Sequence, residues 1–202
     1  QNIGFTFCKT LMYKEDAGTK LYKSWTYSPV LKKDTRHPVV SRAFIVSTNV
    51  FLFRRQIFKK IGYFNEEYTN AEDIDMWMRI SEQYRGTFLN YYGAVYRVGH
   101  GYGQLTRTAR DNLNVNSLKV YKDAIKRYYE IGLKCQFRIF SLKRSFYYYK
   151  YANRLAIYRI ISLWLVLRYP LGFIQRIPLF YYGKIFKKQN KTWHDLDFFL
   201  NE

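Results

Sequence analysis

Residues 56–84 carry the feature that most constrains the fold, a helix stop followed by a second helix with an acidic start. The run from Gln56 to Ile61 has a helical pattern, and Gly62 after it is the residue type that most readily adopts the left-handed backbone of a helix C-terminus. A turn-rich segment, Asn65 to Asn70, follows. Apolar residues then recur at helical spacing, so we predict a second helix that begins near Glu72.

The two aspartates of this second helix differ in their expected environment. One face is shared by Asp73, Met76, Trp77, Ile80 and Tyr84. Asp75 falls on another face, where Arg79 four residues later can form an ordinary ion pair with it. Asp73 lies in the first turn, where the positive end of the helix dipole favours an ionised carboxylate that can accept a proton. Helix capping by Glu72 and Asp73 is the competing interpretation, and it is what acidic residues in first turns ordinarily do.

An ordered series of short motifs extends from this region through the first half of the chain. It reads Arg54-Arg55, Phe58, Ile61 to Glu66, Glu72 to Arg79, Tyr96-Arg97 and His100. The series resembles the second half of family 2 glycosyltransferases with the GT-A fold, where IGGFDE precedes EDxDLWLR and a later YR and histidine. Tyr63 replaces the usual second glycine, and Asn65 replaces the usual aspartate. The resemblance covers residues 2–107.

The resemblance implies an α/β fold in which residues 1–107 form the C-terminal portion of a GT-A mixed sheet. Residues 108–202 have few glycines, long helix-compatible runs and basic residues among tyrosines and phenylalanines, which predicts a basic, aromatic, helical extension. The nucleotide-binding half is expected upstream of Gln1, so that the chain would be a fragment without turnover of its own. The predicted strands are Ile3–Cys8, Ala43–Val46, Val50–Phe53 and Thr87–Tyr96, with a polar turn at 15–19. The predicted helices of the extension are Asp111–Ile131 before Gly132, one or two within 137–167, and a last one over 171–188.

The same resemblance implies sugar transfer with inversion, from a nucleotide-sugar donor to a saccharide or lipid-linked acceptor, in cell-surface polysaccharide or glycolipid biosynthesis. It gives Asp73, beside Glu72, the role of general base. It implies a divalent metal, Mg²⁺ or Mn²⁺, at the leaving diphosphate. His100 is the candidate to bind this metal or to contact the diphosphate, although Gly99 makes the spacing unusual, and a solvated loop histidine is the alternative. Asp73 and Asp75 have the form of the family's metal motif but open a helix, so we assign them no metal.

Four further residues are candidates for binding substrate. Ser47, Thr48 and Asn49 interrupt two apolar runs, and the resemblance places this break beside the sugar and the acceptor. They would then read hydroxyl groups, whereas a plain turn is the alternative. Arg97 would neutralise phosphate oxygens with its paired donors, and simple surface charge is its alternative.

The positive charge of the chain is concentrated in its second half. Residues 107–202 hold 19 Lys and Arg against six Asp and Glu, which is +13 of the net charge of +19. The apolar run between Arg159 and Arg168 is far shorter than the roughly 20 residues of a membrane-spanning helix. Basic and aromatic residues around short apolar faces suit a helix at an anionic membrane surface, whereas helices packed on the catalytic part with a solvated basic face are the alternative. We expect a cytoplasmic protein, peripheral on the inner face of the membrane in the first case.

Two other classes of function compete with the transferase. A pI near 9.8 and 21 tyrosines are compatible with nucleic-acid binding, but no recognised binding motif accompanies them. A noncatalytic scaffold derived from a transferase is the third hypothesis. The two cysteines, Cys8 and Cys135, lie far apart in sequence and indicate neither a disulfide framework nor a cysteine metal site.

Overall fold

The protein has a mixed α/β fold in the computed structural model. The structure describes residues 3–16, 18–24, 48–99, 110–132, 135–175 and 177. The strands are β1 (Ile3–Asp16), β2 (Thr19–Ser24), β3 (Phe51–Phe53) and β4 (Arg85–Arg97). The helices are α1 (Gln56–Ile61), α2 (Glu72–Gln83), α3 (Arg110–Glu130), α4 (Gln136–Lys150) and α5 (Leu155–Arg168), and Thr48–Val50 is a short 3-10 helix.

Strand β1 is the centre of the sheet. It pairs in parallel with β4 from Ile3 to Tyr13, and antiparallel with both β2 and β3. Because β4 occupies one edge of β1, β2 and β3 share the other edge, β3 near the start of β1 and β2 near its end. The β1–β2 turn contains Gly18 at φ 79°, a backbone conformation that glycine adopts without strain. The polar turn predicted at 15–19 joins β1 and β2, and the predicted strand at Thr87–Tyr96 is confirmed as part of β4.

Helix α2 packs on one face of this sheet through aromatic side chains. The ring of Trp77 lies 5.0 Å, centroid to centroid, from Phe51 of β3, and Phe51 lies 5.6 Å from Phe7 of β1. Trp77 and Phe7 are both buried. Burial of each such ring contributes about 2–3 kcal/mol, so the cluster fixes α2, and with it the acidic first turn, against β1 and β3.

The helices follow the predicted order closely. Helix α1 ends at Gly62 (φ 81°), and α3 is followed by Gly132 (φ 64°), the two glycines that the sequence identified as stops. The predicted helical stretch 137–167 forms two helices, α4 and α5. Residues 170–175 make a further helical turn, and the rest of the predicted last helix lies outside the described residues, as does the predicted strand Ala43–Val46.

The helices α2 to α5 pack in sequence, each against the next.

Val50 belongs to the 3-10 helix, so β3 begins one residue later than predicted. Among the helices that the structure describes, none combines the length and the apolar character needed to cross a membrane.

Candidate functional site

The acidic first turn of α2 begins from a strained residue. Ala71, which precedes the helix, has φ 66° in the left-handed region, and no side chain caps the helix at this position. A non-glycine residue in this conformation costs about 1–3 kcal/mol and persists only where its neighbours hold it. Asn116 of α3 supplies that support: its Nδ2 donates to Asn70 Oδ1 (3.1 Å) and to Thr69 Oγ1 (3.2 Å).

A second contact ties the same loop to α3. The hydroxyl of Tyr68 donates to Asp123 Oδ2 at 3.0 Å. Burial, together with this hydrogen bond, raises the pKa of Tyr68 to about 12, so the hydroxyl keeps its proton and remains a donor. Helix α3 therefore holds in place the loop that leads into α2.

The carboxylate of Asp73 joins two segments that lie far apart in sequence. Its Oδ1 accepts the backbone N–H of Ile74 at 2.7 Å, one of the amide groups left without a helical partner in a first turn. Its Oδ2 faces Thr48, whose hydroxyl donates to it at 3.4 Å. Asp73 is half-buried and Thr48 exposed, so the pair lies at the protein surface. The contact with Ile74 fits the capping interpretation, and the contact with Thr48 brings together two residues predicted for the same site.

Two of the remaining predicted site residues are sequence neighbours of Asp73 and Thr48. Glu72 is half-buried beside Asp73, and Asn49 is exposed beside Thr48. Ser47 and His100 lie outside the described residues.

Arg97 lies toward the other end of the sheet. It is at the end of β4, opposite Tyr13 of β1, with its guanidinium 6.0 Å from the centre of that ring. The Thr48–Val50 turn instead lies beside Cys8, whose thiol approaches the Val50 carbonyl at 3.7 Å. From Cys8 to Tyr13 the strand advances roughly 16 Å, so the structure does not bring Arg97 next to Asp73.

Asp75 has a structural environment, unlike its neighbour Asp73. It is buried, and its Oδ2 accepts the Nε of Arg79 at 2.8 Å, which confirms the predicted ion pair. A second guanidinium, that of Arg127 from α3, lies 3.6 Å from Asp75 Oδ1. The expectation of an ordinary pair on a separate face was therefore incomplete, because α3 covers this face and makes it part of the interior.

Arg79 also holds the loop between α1 and α2. Its Nη1 donates to the carbonyl of Ile61 (2.7 Å) and its Nη2 to the carbonyl of Tyr63 (2.8 Å), on either side of Gly62. A planar guanidinium can make three such bonds at once in fixed directions. This role of Arg79 was not predicted from the sequence, in which only its spacing of four residues from Asp75 was visible.

Glu82 at the end of α2 completes a buried ionic cluster. Its carboxylate lies 3.2 Å from Arg127 Nε and 3.8 Å from Arg138 Nη2 of α4. Burial raises the pKa of the Glu82 carboxyl above its usual value, and the two arginines offset this only in part. Arg138 also donates from Nη1 to the Ser81 carbonyl at 3.4 Å, so α2 is tied to both α3 and α4.

The donor groups around α2 do not fit a metal. In the described part of the chain, no group of three or more His, Cys, Asp or Glu side chains could hold a metal ion. Asp75 is engaged by two guanidinium groups, and a carboxylate held in this way is a poor ligand for a cation. The Asp73 and Asp75 pattern is therefore not assigned as a metal motif.

Comparison of the chain with protein-family models, with curated proteins and with solved structures finds no match in any of the three. A functional assignment therefore depends on the ordered motifs and on the geometry around Asp73.

Proposed function

We propose that this chain contributes the general base and part of the acceptor site of a nucleotide-sugar-dependent glycosyltransferase that inverts the anomeric centre. The observation that carries the proposal is the contact of Thr48 Oγ1 with Asp73 Oδ2 at 3.4 Å. It joins the polar break before β3 to the acidic start of α2, two segments 25 residues apart that the family resemblance assigns to one site. The proposed acceptor is a saccharide or a lipid-linked saccharide of cell-surface polysaccharide or glycolipid assembly.

Asp73 has the properties that a base needs. Its Oδ1 is oriented by the Ile74 amide, and the end of the helix dipole favours its ionised form. Its Oδ2 would take the proton of the acceptor hydroxyl while that oxygen forms the bond to the anomeric carbon. The bond from this carbon to the nucleoside diphosphate breaks on the opposite face, and its electron pair leaves with the diphosphate. The strained residue Ala71 directly precedes Glu72 and Asp73. It supports a functional role for this acidic turn, because backbone strain of this kind clusters at active sites.

Thr48 would act as a positioning residue. Its hydroxyl lies where it can orient the Asp73 carboxylate before the acceptor binds, and it can pass its hydrogen bond to a substrate hydroxyl. Asn49, exposed next to it, offers a further donor and acceptor for a sugar hydroxyl. The resemblance assigns the diphosphate to a divalent metal, but each step proposed for these residues needs only their own groups.

The test is turnover of the full-length gene product carrying Asp73→Asn. Release of the nucleoside diphosphate is measured with UDP-, GDP- and dTDP-hexoses in the presence of saccharide and lipid-linked acceptors. We expect turnover to fall by about 10²- to 10⁴-fold, the usual contribution of a general base, while circular dichroism remains that of the folded protein. For Thr48→Val we expect a smaller loss of about two- to tenfold, because one weak hydrogen bond is removed.

Glu67→Gln is the matched control, since Glu67 is an exposed carboxylate in the loop before α2 and should leave turnover unchanged. Unchanged turnover in Asp73→Asn would remove Asp73 as the base. Absence of any donor turnover in the parent protein would favour the scaffold hypothesis. Salt-sensitive binding of mixed-sequence oligonucleotides in that case would favour nucleic-acid binding.

A further inference from the structure

Helix α5 is apolar around most of its circumference, but the described elements of the protein cover one side of it. Leu165 is its only fully buried residue, and Tyr158, Ile161, Ser162 and Val166, at helical spacing around it, are half-buried. Among the helices that the structure describes, α4 is the one that packs substantially against α5, on this side. The opposite side faces outward from the described part of the protein.

The outward side is a continuous apolar surface, which we call the α5 outer face. Its residues are Ile160, Leu163, Trp164 and Leu167, each between 51% and 81% exposed. Their spacing of three and four residues places them on one stripe of the helix. Leu171 and Ile174 in the following helical turn are also exposed. Exposed apolar surface of this extent indicates a binding surface.

Positive charge borders the α5 outer face on both sides. At 100° per residue, Arg159 and Arg168 lie about 90° to either side of the centre of the stripe, and both are exposed. Arg154 precedes the helix and is exposed as well. No acidic residue opposes this charge nearby in sequence, because residues 131–194 contain 13 Lys and Arg and no Asp or Glu.

This combination of features identifies the partner by its chemistry. A second copy of the chain would bring the same cations to the contact and be repelled. A nucleic acid would satisfy the arginines but leave the aliphatic stripe in water, since phosphates and sugars offer it no apolar surface. An anionic lipid surface offers both negative headgroups and an apolar layer directly beneath them. Trp164 in the stripe is a residue type enriched at that boundary.

We propose that α5 lies flat in the interface of an anionic membrane, with the α5 outer face in the boundary between headgroups and acyl chains. The helix has 14 residues and is about 21 Å long, shorter than the hydrocarbon core, so it lies along the surface. Arg159 and Arg168 then reach headgroup phosphates on either side. The inference goes beyond the proposed glycosyl transfer and does not depend on it.

The experiment is flotation of the full chain with vesicles of phosphatidylcholine alone and of phosphatidylcholine mixed with phosphatidylglycerol. We expect binding to the mixed vesicles, little binding to neutral ones, and weakening by salt. The double variant Leu163→Ser with Leu167→Ser should reduce binding by more than about tenfold, because two large apolar side chains no longer enter the lipid. Arg159→Gln and Arg168→Gln should each reduce it by about fivefold.

Leu52→Ser is the matched control, since Leu52 of β3 is 73% exposed but lies on the sheet, away from α5. It should bind vesicles as the parent protein does. Three results would overturn the proposal: no flotation of the parent protein, equal binding to neutral and anionic vesicles, or binding that survives the double leucine change. A self-association that the same leucine changes abolish, without vesicle binding, would assign the α5 outer face to a second copy instead.

Discussion

Helices α2 and α5 are similar in length but opposite in their relation to the interior. Helix α2 has 12 residues and α5 has 14, and α5 is the more apolar of the two in sequence. Yet α2 buries seven residues, Asp75 and Ser81 among them, whereas α5 buries Leu165 alone. The difference lies in the neighbours, because α2 is covered by the sheet, α1, α3 and α4. Burial therefore follows from the elements that surround a helix, and the apolar face that the described elements leave uncovered on α5 is available for the proposed membrane contact.

The charged residues of α2 and α5 differ in burial as their apolar residues do. The ion pairs of α2 with Arg127 and Arg138 connect three helices in the interior. The arginines of α5 are exposed instead, as at Arg159 and Arg168. Charges on α2 are thus expected to affect folding, and charges on α5 to affect binding.

The largest expected effect on stability comes from Asp75→Ala. The change leaves the guanidinium groups of Arg79 and Arg127 next to each other without their shared carboxylate. Loss of one partner of a buried ionic contact costs about 3–5 kcal/mol, so the free energy of unfolding in urea should fall by about this amount. Asp73→Ala, two residues away in the same helix, is the matched control and should cost about 1 kcal/mol or less. Equal losses in the two variants would contradict the division of roles between the two aspartates.

The next largest expected change in the free energy of unfolding comes from a buried apolar residue of α2, compared with an exposed one of α5. Ile80→Ala removes a side chain that is 1% exposed and should lower the free energy of unfolding by about 2–5 kcal/mol. Leu167→Ala in α5 removes one that is 81% exposed and should change it by less than about 0.5 kcal/mol. The comparison is made by urea unfolding of both variants. A large loss for Leu167→Ala would show that another part of the chain covers the α5 outer face.

Substitution of Arg by Lys sharpens the contrast for polar groups. Arg79→Lys keeps the charge but cannot make the three bonds to Asp75, Ile61 and Tyr63, so it should cost about 1–3 kcal/mol. Arg159→Lys in α5 should leave the free energy of unfolding unchanged, since this side chain is exposed. If both variants unfold at the parent concentration of urea, the Arg79 contacts do not stabilise the α1–α2 loop.

Local patterns were sufficient to predict most of the elements around the site. The glycine stops, the acidic start of α2, the polar turn between β1 and β2 and the Asp75–Arg79 pair all depend on residues within a few positions of one another. The burial of Asp75 was not predicted, because Arg127 comes from a helix 52 residues later. One signal for it was present: Ile74 and Met78 lie on the side of the helix opposite Met76 and Ile80, and a helix with apolar residues on two sides is covered on both.

The site itself required more than periodicity. Nothing in the spacing of residues indicates that Thr48 meets Asp73. The first-turn position made Asp73 a candidate base, but only the motif resemblance assigned Thr48 to the same cleft. The exposure of α5 was likewise open, since its sequence is compatible with burial against other helices and with a membrane surface. The set of neighbours around α5 decides which of its side chains are exposed, and that exposure supports the membrane contact proposed above.

The smallest expected change in the free energy of unfolding is that of a substitution at Glu82. It tests whether the cost of burying this carboxylate exceeds its attraction to Arg127 and Arg138. Burial raises the pKa of this carboxyl in the folded protein above its ordinary value of 4.5, so a proton binds Glu82 more tightly in the folded state than in the unfolded state. The stability that Glu82 contributes is therefore fully present below pH 4.5 and is lost as the pH rises through the folded pKa. Glu82→Gln, which keeps the size and removes the charge, should raise the free energy of unfolding slightly at neutral pH. The gain should vanish as the pH falls toward 4.5, measured by urea unfolding across that range.

Glu67→Gln, at an exposed position, controls for the loss of a negative charge from a basic protein. A lower free energy of unfolding for Glu82→Gln at neutral pH would mean that Arg127 and Arg138 outweigh burial, and that the ionic cluster of α2 stabilises the fold through its charges.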